Sequence, residues 1–479
     1  MATDDLRGFL KECEEHDDLE KVEGAHWDLE IGTISELSAE KGGPAFLFDS
    51  IKDYPPGYRV ATNLFTSKER MATAFHFPRE IEKLEFIKKL RGTEYNRVEP
   101  VEVDSGPVMQ NALFGDDVDL FTFPVPKYHE HDGGRYMGTG HIVIMRDPDE
   151  GYINAGVERA ILHDRNTLGL YISPGKHNRI IREKYWSKGQ SCPVVMTFGP
   201  PPILYLAAAL HVPWGISEFD WAGWLRGQPI EVIKGKLTGI PFPADDEIVI
   251  EGEYLPPETE VREEGPFGEW TGYYAGGRQL EPVVRVNALY YRDDPILAGV
   301  FPLKPPLHNF IVPIISTPVV WDDLERAGIT GIKGVWQLEA GGGRLITVVS
   351  IKQEHIGHAK QAGLVTAGGH GGGYMGKLVI IVDEDIDPTD VNDVLWAVAT
   401  RCDPATGIDI IRDCWGTRLD PLLSPEKRSR KDYSHSVAII NACKPLTWKD
   451  EFPKTNKSSP ELRKRVLDKW GDKVHALSQ

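Results

Sequence analysis

The chain has 479 residues, 41% of them hydrophobic, with 54 Lys and Arg against 72 Asp and Glu, a net charge of −18. That length implies two or three domains with real cores, and the acidic balance excludes nucleic acid or an anionic membrane as the main partner, though not a local basic site for a small anion. The longest wholly apolar run, Ile203 to Leu210, is far short of the ~20 residues that span a bilayer, and the acidic start carries no export signal, so a cytoplasmic protein is expected.

Leu6, Phe9, Leu10 and Cys13 follow helical spacing, and Glu80 to Leu90 is a charged amphipathic helix with Ile81, Leu84, Ile87 and Leu90 on one face. From about Val125 to Val300 the pattern turns to strands broken by Gly, Pro and Asp. His141–Met145 and Tyr152–Leu162 flank the turn RDPDEG and predict a hairpin, and Val283–Tyr290 alternates as a half-buried strand should, so this section predicts a β-rich barrel or sandwich. Pro302, Pro305, Pro306, Pro313 and Pro318 mark a domain boundary. Beyond it, Leu345–Ile351, His355–Ala367, Leu378–Val382 and Asp390–Thr400 alternate strand and helix in α/β order. Ser459 caps a last helix with Pro460 at its first position; its apolar stripe of Leu462, Val466 and Trp470 must dock on its own chain or on a partner subunit. Cys13, Cys192, Cys402, Cys414 and Cys443 are scattered, with no CxxC, and read as reduced core thiols.

Two stretches could carry chemistry. In REEGPFGEWTGYY, Glu264 and Glu269 flank Gly265, Pro266 and Gly268; a bend there would bring together two carboxylates that a straight segment holds roughly 16 Å apart. A partly buried member of such a pair, with a raised pKa, can donate a proton. Seven Glu in the nineteen residues from Glu251 to Glu269 equally describe a solvated face. In INAGVERA, Arg159 is a fixed cation able to hold a carboxylate in a fork, and Asn154 offers an oxygen to a hard metal ion. Regular alternation puts these two on opposite faces, roughly 16 Å apart, so one ligand serving both must be long or the strand bulged at Gly156. His177 and Glu218 would complete an N/O set with Asn154 suited to Mn2+ or Mg2+, although each is unremarkable alone. His129–Asp132 reads as a polar loop, and Asp383–Asp387 as turn and capping residues. GGHGGG lacks the strand–helix context of a dinucleotide loop, and no P-loop, HExxH or GxSxG occurs, which disfavours kinases, zinc proteases and α/β-hydrolases.

EGPFGEWTGYY (264–274), NAGVER (154–159) and DEDIDPTDVNDVLWAVATRCDP (383–404), with IKDYPPGYRV near 51 and INACKP near 440, together resemble the UbiD family of reversible decarboxylases over nearly the whole chain. The resemblance implies an α/β (α+β) architecture: an N-terminal α/β region (1–120), a central split-barrel, flavin-reductase-like cofactor domain (121–315), a C-terminal α/β oligomerisation domain (316–445) with a linking helix, and a helical tail (446–479). It implies prenylated FMN as cofactor, with Arg159, Glu264 and Glu269 as the catalytic trio. Arg159 would orient the substrate carboxylate against the flavin, Glu264 would couple to Arg159, and Glu269 would protonate the carbon left by CO2 from a covalent cofactor adduct that acts as electron sink.

By the same resemblance Asn154, His177 and Glu218 would hold the cofactor phosphate through Mn2+, with K+ against main-chain carbonyls including that of Ala155. Gly156, Val157, Glu158 and Lys176 would complete the cofactor site, and Trp270 would stack on the substrate ring. The implied partners are an aromatic or heteroaromatic acid, such as a phenazine, indole or phenolic carboxylate, CO2, a flavin prenyltransferase that supplies the cofactor, and further copies of the chain in a homodimer or larger homo-oligomer. Two positions depart from the family pattern. Val437 stands where many relatives carry a phosphate-binding Lys or Arg, leaving Lys176, Arg428 or Lys431 as substitutes, and Glu158 stands where some members carry Tyr. A non-catalytic subunit of a multi-component carboxylase is the alternative, and a metal-dependent hydrolase using Glu269 and His177 a third reading with no supporting motif.

Overall fold

The fold is a computed structural model that describes residues 4–93, 95–210, 212–307 and 310–475. Its centre is a ten-stranded antiparallel sheet. Along the sheet the strands run Tyr136–Gly138, Arg159–Asp164, Thr167–Tyr171, Gln279–Tyr291, Ile248–Tyr254, Cys192–Phe198, His141–Arg146 and Ile153–Gly156, with Asn111–Phe114 and Val261–Glu264 also pairing to Gln279–Tyr291. Only Val157 and Glu158 separate Gly156, on one edge strand, from Arg159, on the strand next to the other edge. So short a link forces the sheet to curl into a half-barrel, the split-barrel form expected for the centre of the chain.

The curl corrects one expectation. Tyr152–Leu162 is not a single hairpin strand: Ile153–Gly156 pairs with His141–Arg146, whereas Arg159–Asp164 pairs with Thr167–Tyr171. The chain changes neighbours at Val157–Glu158, where the curled sheet brings its two ends together. Both sheet faces are buried. Val143, Met145, Val194, Met196 and Phe198 pack into one core, while Ile142, Ile144, Val195 and Val249 pack into another. Strands covered on both faces show apolar runs rather than alternation, which explains the unbroken Ile142–Met145.

The N-terminal part adds a four-stranded sheet, Leu19–Glu23, Ala45–Asp49, Arg59–Thr62 and Ile296–Gly299, so a strand from the end of the central section completes it. The helix Leu6–Glu15 is capped by Asp5, which accepts from Gly8 N at 2.8 Å, and buries Leu6, Phe9, Leu10 and Cys13 as its spacing predicts. The helix expected from Glu80 starts at Lys83, leaving Ile81 outside it.

After the proline-rich break, the helix Ile311–Arg326 leads into a five-stranded mixed sheet ordered Ile332–Gln337, Ile346–Ile351, Leu378–Asp383, His435–Ala442 and Ile408–Cys414. Helices His358–Gly368 and Val391–Arg401 pack on it. The tail helix Pro460–His475 has Ser459 Oγ accepting from Leu462 N at 3.2 Å. Its Leu462, Val466 and Trp470 are 39–45% exposed, so the stripe is not covered within the chain.

Glu247 is wholly buried and accepts from Arg7 Nε at 2.8 Å, Arg7 Nη2 at 2.9 Å and Ile296 N at 3.1 Å, tying the first helix to the strand Ile296–Gly299. Breaking a buried ion pair leaves an uncompensated charge, but Arg7 is 31% exposed and partly solvated. Glu247→Ala is therefore expected to lower stability by about 2–3 kcal/mol, read as a fall in denaturation midpoint with unchanged slope.

Candidate active site

Arg159 opens its strand at the half-barrel edge and is 8% exposed, between Glu264 (0%) and Glu269 (6%). Its Nη2 donates to Glu264 Oε2 at 2.7 Å and its Nη1 to Glu269 Oε1. Its Nε stands 2.6 Å from Glu264 Oε1 at an angle that makes an ion-pair contact rather than a hydrogen bond. The guanidinium carbon lies 4.9 Å from the Tyr171 ring centre and 5.0 Å from that of Phe267. Burial alone would depress the arginine's pKa, but Glu269 and Glu264 reverse this and hold it charged. Burial raises the Glu269 carboxyl against the pull of Arg159. The bend expected at Gly265–Gly268 is present, and it brings the two carboxylates to one cation.

The loop is clamped from several sides. Tyr136 Oη donates to Glu264 Oε1 at 3.1 Å, and Asp132 accepts from Gly268 N and His129 N, both at 3.0 Å. A Cβ on Gly133 would lie 2.0 Å from Gly265 O, so only glycine lets the 129–134 loop rest on the bend. Trp270 packs against the C-terminal domain, where a Cβ on Gly342 (φ +63°) would come within 2.8 Å of its Cε3. Trp270 also lines a narrow cleft with Leu345, Met375, Lys377, Pro421 and His435.

A second cluster gathers at Asn154, on the strand that precedes the two-residue link. His177 Nδ1 is 3.2 Å from Asn154 Oδ1, Asn154 Nδ2 donates to Asn178 Oδ1 at 2.8 Å, and Glu218 Oε2 accepts from Ala155 N at 2.7 Å. His177 and Glu218 are the first residues of their helices, His177–Trp186 and Glu218–Arg226. Burial pushes Glu218 up to about 8 and lowers His177, and no cation pairs with Glu218 among the described residues. Among the described residues no three His, Cys, Asp or Glu side chains form a metal cluster, so this set depends on the Asn154 amide oxygen. A buried carboxylate with no counter-charge, beside a neutral imidazole and an amide oxygen, fits a hard or borderline divalent ion.

Glu158 is buried. Lys176 Nζ lies 3.0 Å from its Oε2 and also donates to Val157 O, while Glu158 Oε1 has no hydrogen-bond partner. The phosphate-binding substitutes are sorted by this geometry. Val437 is 1% exposed in the C-terminal core. Arg428 spends its guanidinium on the carbonyls of Ala275, Arg418, Asp420 and Leu423, and Lys431 is exposed. Lys176 alone of the three lies at the strand that carries Asn154.

Residues 10–90, 99–305 and 310–442 match the N-terminal, Rift-related and C-terminal domains of 3-octaprenyl-4-hydroxybenzoate carboxy-lyase, the UbiD family. The chain belongs to the UbiD family. It is 32% identical to a pyrrole-2-carboxylic acid decarboxylase of Pseudomonas aeruginosa over 98% of both chains, and 29% identical to a phenolic acid decarboxylase of Escherichia coli over 100% of this chain and 99% of that one. Among solved structures it is similar to the UbiD-class enzyme HmfF of Pelotomaculum thermopropionicum in complex with FMN (TM-score 0.85, 30% identity, 96% of this chain and 98% of that one). It is also similar to the vanillic acid decarboxylase of Sedimentibacter hydroxybenzoicus (TM-score 0.85, 25% identity, 100% and 99%). The chain is a carboxy-lyase of the UbiD class.

Several residues of this UbiD site had no local signal in the sequence. Tyr136, Asn178 and Tyr171 stand in no motif, whereas Asp132 lies in the tract that reads as a polar loop and Phe267 within EGPFGEWTGYY without a role of its own. Arg418 comes from the C-terminal domain. Its guanidinium carbon lies 4.0 Å from the Tyr171 ring centre, and its Nη1 donates to Gln279 Oε1. Asp132→Ala is expected to release the bend at Gly268, at a cost of about 1–3 kcal/mol for the unsatisfied amides. Amide exchange over 265–272 should accelerate while the C-terminal sheet is unaffected.

Proposed function

We propose that this UbiD-class enzyme carries out non-oxidative, reversible decarboxylation of an aromatic or heteroaromatic carboxylic acid with prenylated FMN. The observation that carries the reading is the buried cation shared by two carboxylates, Arg159 with Glu264 and Glu269. The names of the relatives support it: pyrrole-2-carboxylic acid and phenolic acid decarboxylases among the sequences, and an HmfF form in complex with prFMN among the structures.

In this reading Asn154, His177 and Glu218 would hold Mn2+ for the cofactor phosphate, and Ala155, Gly156, Val157, Glu158, Lys176 and Arg159 would complete the cofactor site. The Ala155 carbonyl would contribute to a K+ site. Prenylated FMN, when bound, supplies the electron sink for loss of CO2. The chain's own residues supply position and proton. Glu264 accepts from Tyr136 Oη and Arg159 Nη2 and touches Arg159 Nε, whereas among the described residues the Glu269 carboxyl accepts from Arg159 Nη1 alone. With fewer donors and a pKa raised by burial, Glu269 is the member that delivers a proton to the substrate carbon. Trp270 offers its face to the substrate ring. Burial of the trio keeps water from the reacting carbon.

The test is the mass of the flavin released from protein co-produced with a flavin prenyltransferase under Mn2+ and K+, followed by CO2 release from aromatic acids. Stoichiometric prenylated FMN with turnover is expected; folded protein that keeps no prenylated FMN points to the non-catalytic subunit. Glu269→Gln should retain the flavin and lose turnover by about 100-fold or more. Because the acid is the protonated form, wild-type activity should fall as pH rises through the raised pKa of Glu269. An unchanged rate in that variant removes Glu269 from the mechanism.

Metal binding has its own signature. Glu218, at about 8, must release a proton to a metal. Mn2+ should therefore raise the melting temperature more at pH 8 than at pH 6, and Asn154→Ala should abolish both that rise and flavin retention. An undiminished Mn2+ effect in Asn154→Ala would break the metal assignment.

A further inference from the structure

Arg418 is a second cation at the trio, delivered from the other domain. Its segment lies on the catalytic loop: a Cβ on Gly276 would stand 3.4 Å from Glu269 Oε1 and 3.5 Å from Leu419 Cδ2. Arg428 locks the segment by donating to both Arg418 O at 2.7 Å and Ala275 O at 2.8 Å. The Tyr171 ring carries both guanidiniums, Arg159 at 4.9 Å and Arg418 at 4.0 Å. No carboxylate pairs directly with Arg418 among the described residues; Gln279 intervenes, accepting from Arg418 through Oε1 and donating to Glu281 through Nε2.

The two arginines are spent differently. Arg159 turns its Nε–Nη2 edge to Glu264. Arg418 uses Nη1 on Gln279, while its Nε and Nη2 are buried and have no hydrogen-bond acceptor among the described residues. Those two nitrogens form the side-on fork, the edge of a guanidinium that takes a carboxylate through two parallel hydrogen bonds. Burying two such donors unsatisfied is costly, and the cost is recovered when an anionic oxygen pair enters with the ligand.

The scissile carboxylate is the wrong candidate for this fork. In the decarboxylase reading it is already oriented by Arg159, and it becomes neutral CO2, so a second guanidinium forked on it would add ground-state stabilisation that is lost in the transition state. A carboxylate that the substrate keeps has no such penalty. We propose that Arg418 recognises a second, retained carboxylate, so that the preferred substrates are aromatic dicarboxylic acids; this deepens the decarboxylase reading above and rests on it.

The test is calorimetric binding of benzoate, isophthalate and terephthalate to the flavin-loaded enzyme. Wild type should hold at least one diacid about tenfold or more tighter than benzoate. Arg418→Met should bring that diacid to the affinity of benzoate, leaving benzoate itself within about twofold, and Arg418→Lys should restore part of the preference. Two results overturn the proposal: a wild type with no preference for either diacid, or an Arg418→Met that weakens benzoate and diacids by the same factor. The second would assign Arg418 to the departing carboxylate or to holding the fold. A diacid preference that depends on Arg418, in protein that releases CO2 from no acid, would overturn the decarboxylase reading and leave this one standing. CO2 release without the preference would do the reverse.

Discussion

One guanidinium buried between two carboxylates is the constraint around which the rest of the site is arranged. Each of these charges would be expensive to bury alone, and each is tolerable because the others are within ion-pair distance. The cluster therefore depends on holding two distant stretches of chain in register, the strand that begins at Arg159 and the bend that runs from Glu264 to Glu269. Asp132 below the bend, Tyr136 beside Glu264, and the C-terminal domain against Trp270 and Ala275 provide that register. A decarboxylase needs a proton at one carbon, and a rigid, dry carboxyl group is how a protein keeps one in place.

The cluster at Asn154 shows the opposite electrostatic condition. Arg159 has more negative charge near it than it needs, whereas Glu218 is buried with no cation acting on it. The two clusters sit at either end of the segment that closes the curled sheet, Asn154 before the link and Arg159 after it. The site thus has two ends of opposite electrostatic demand, an uncompensated carboxylate at one and a guanidinium at the other. The same short link sets the curl of the half-barrel and the span of the site.

Much of this was legible before folding. Helical spacing placed the first helix, apolar runs and turns placed the central strands, and strand–helix alternation placed the C-terminal sheet. Arg159, Glu264, Glu269, Asn154, His177 and Glu218 were singled out through the family resemblance, and the fold gathers them into two clusters. Chemistry alone left them ambiguous. Of the seven Glu between 251 and 269, Glu253, Glu258 and Glu263 are solvated, Glu260 is half-buried and paired with Arg262 and Arg285, Glu251 is buried beneath backbone N–H groups and Tyr290, and only Glu264 and Glu269 reach Arg159.

By itself the sequence determined the class of the elements, the acidic character of the chain and the short-range motifs. The tertiary structure decided where the strand after Gly156 breaks, which carboxylates share a cation, and that Arg418 arrives from more than a hundred residues away with an unspent fork. The physical reason is range. Propensity, capping and periodicity act over a few residues, whereas burial, desolvation and charge pairing depend on which distant side chains the curled sheet and the second domain bring together.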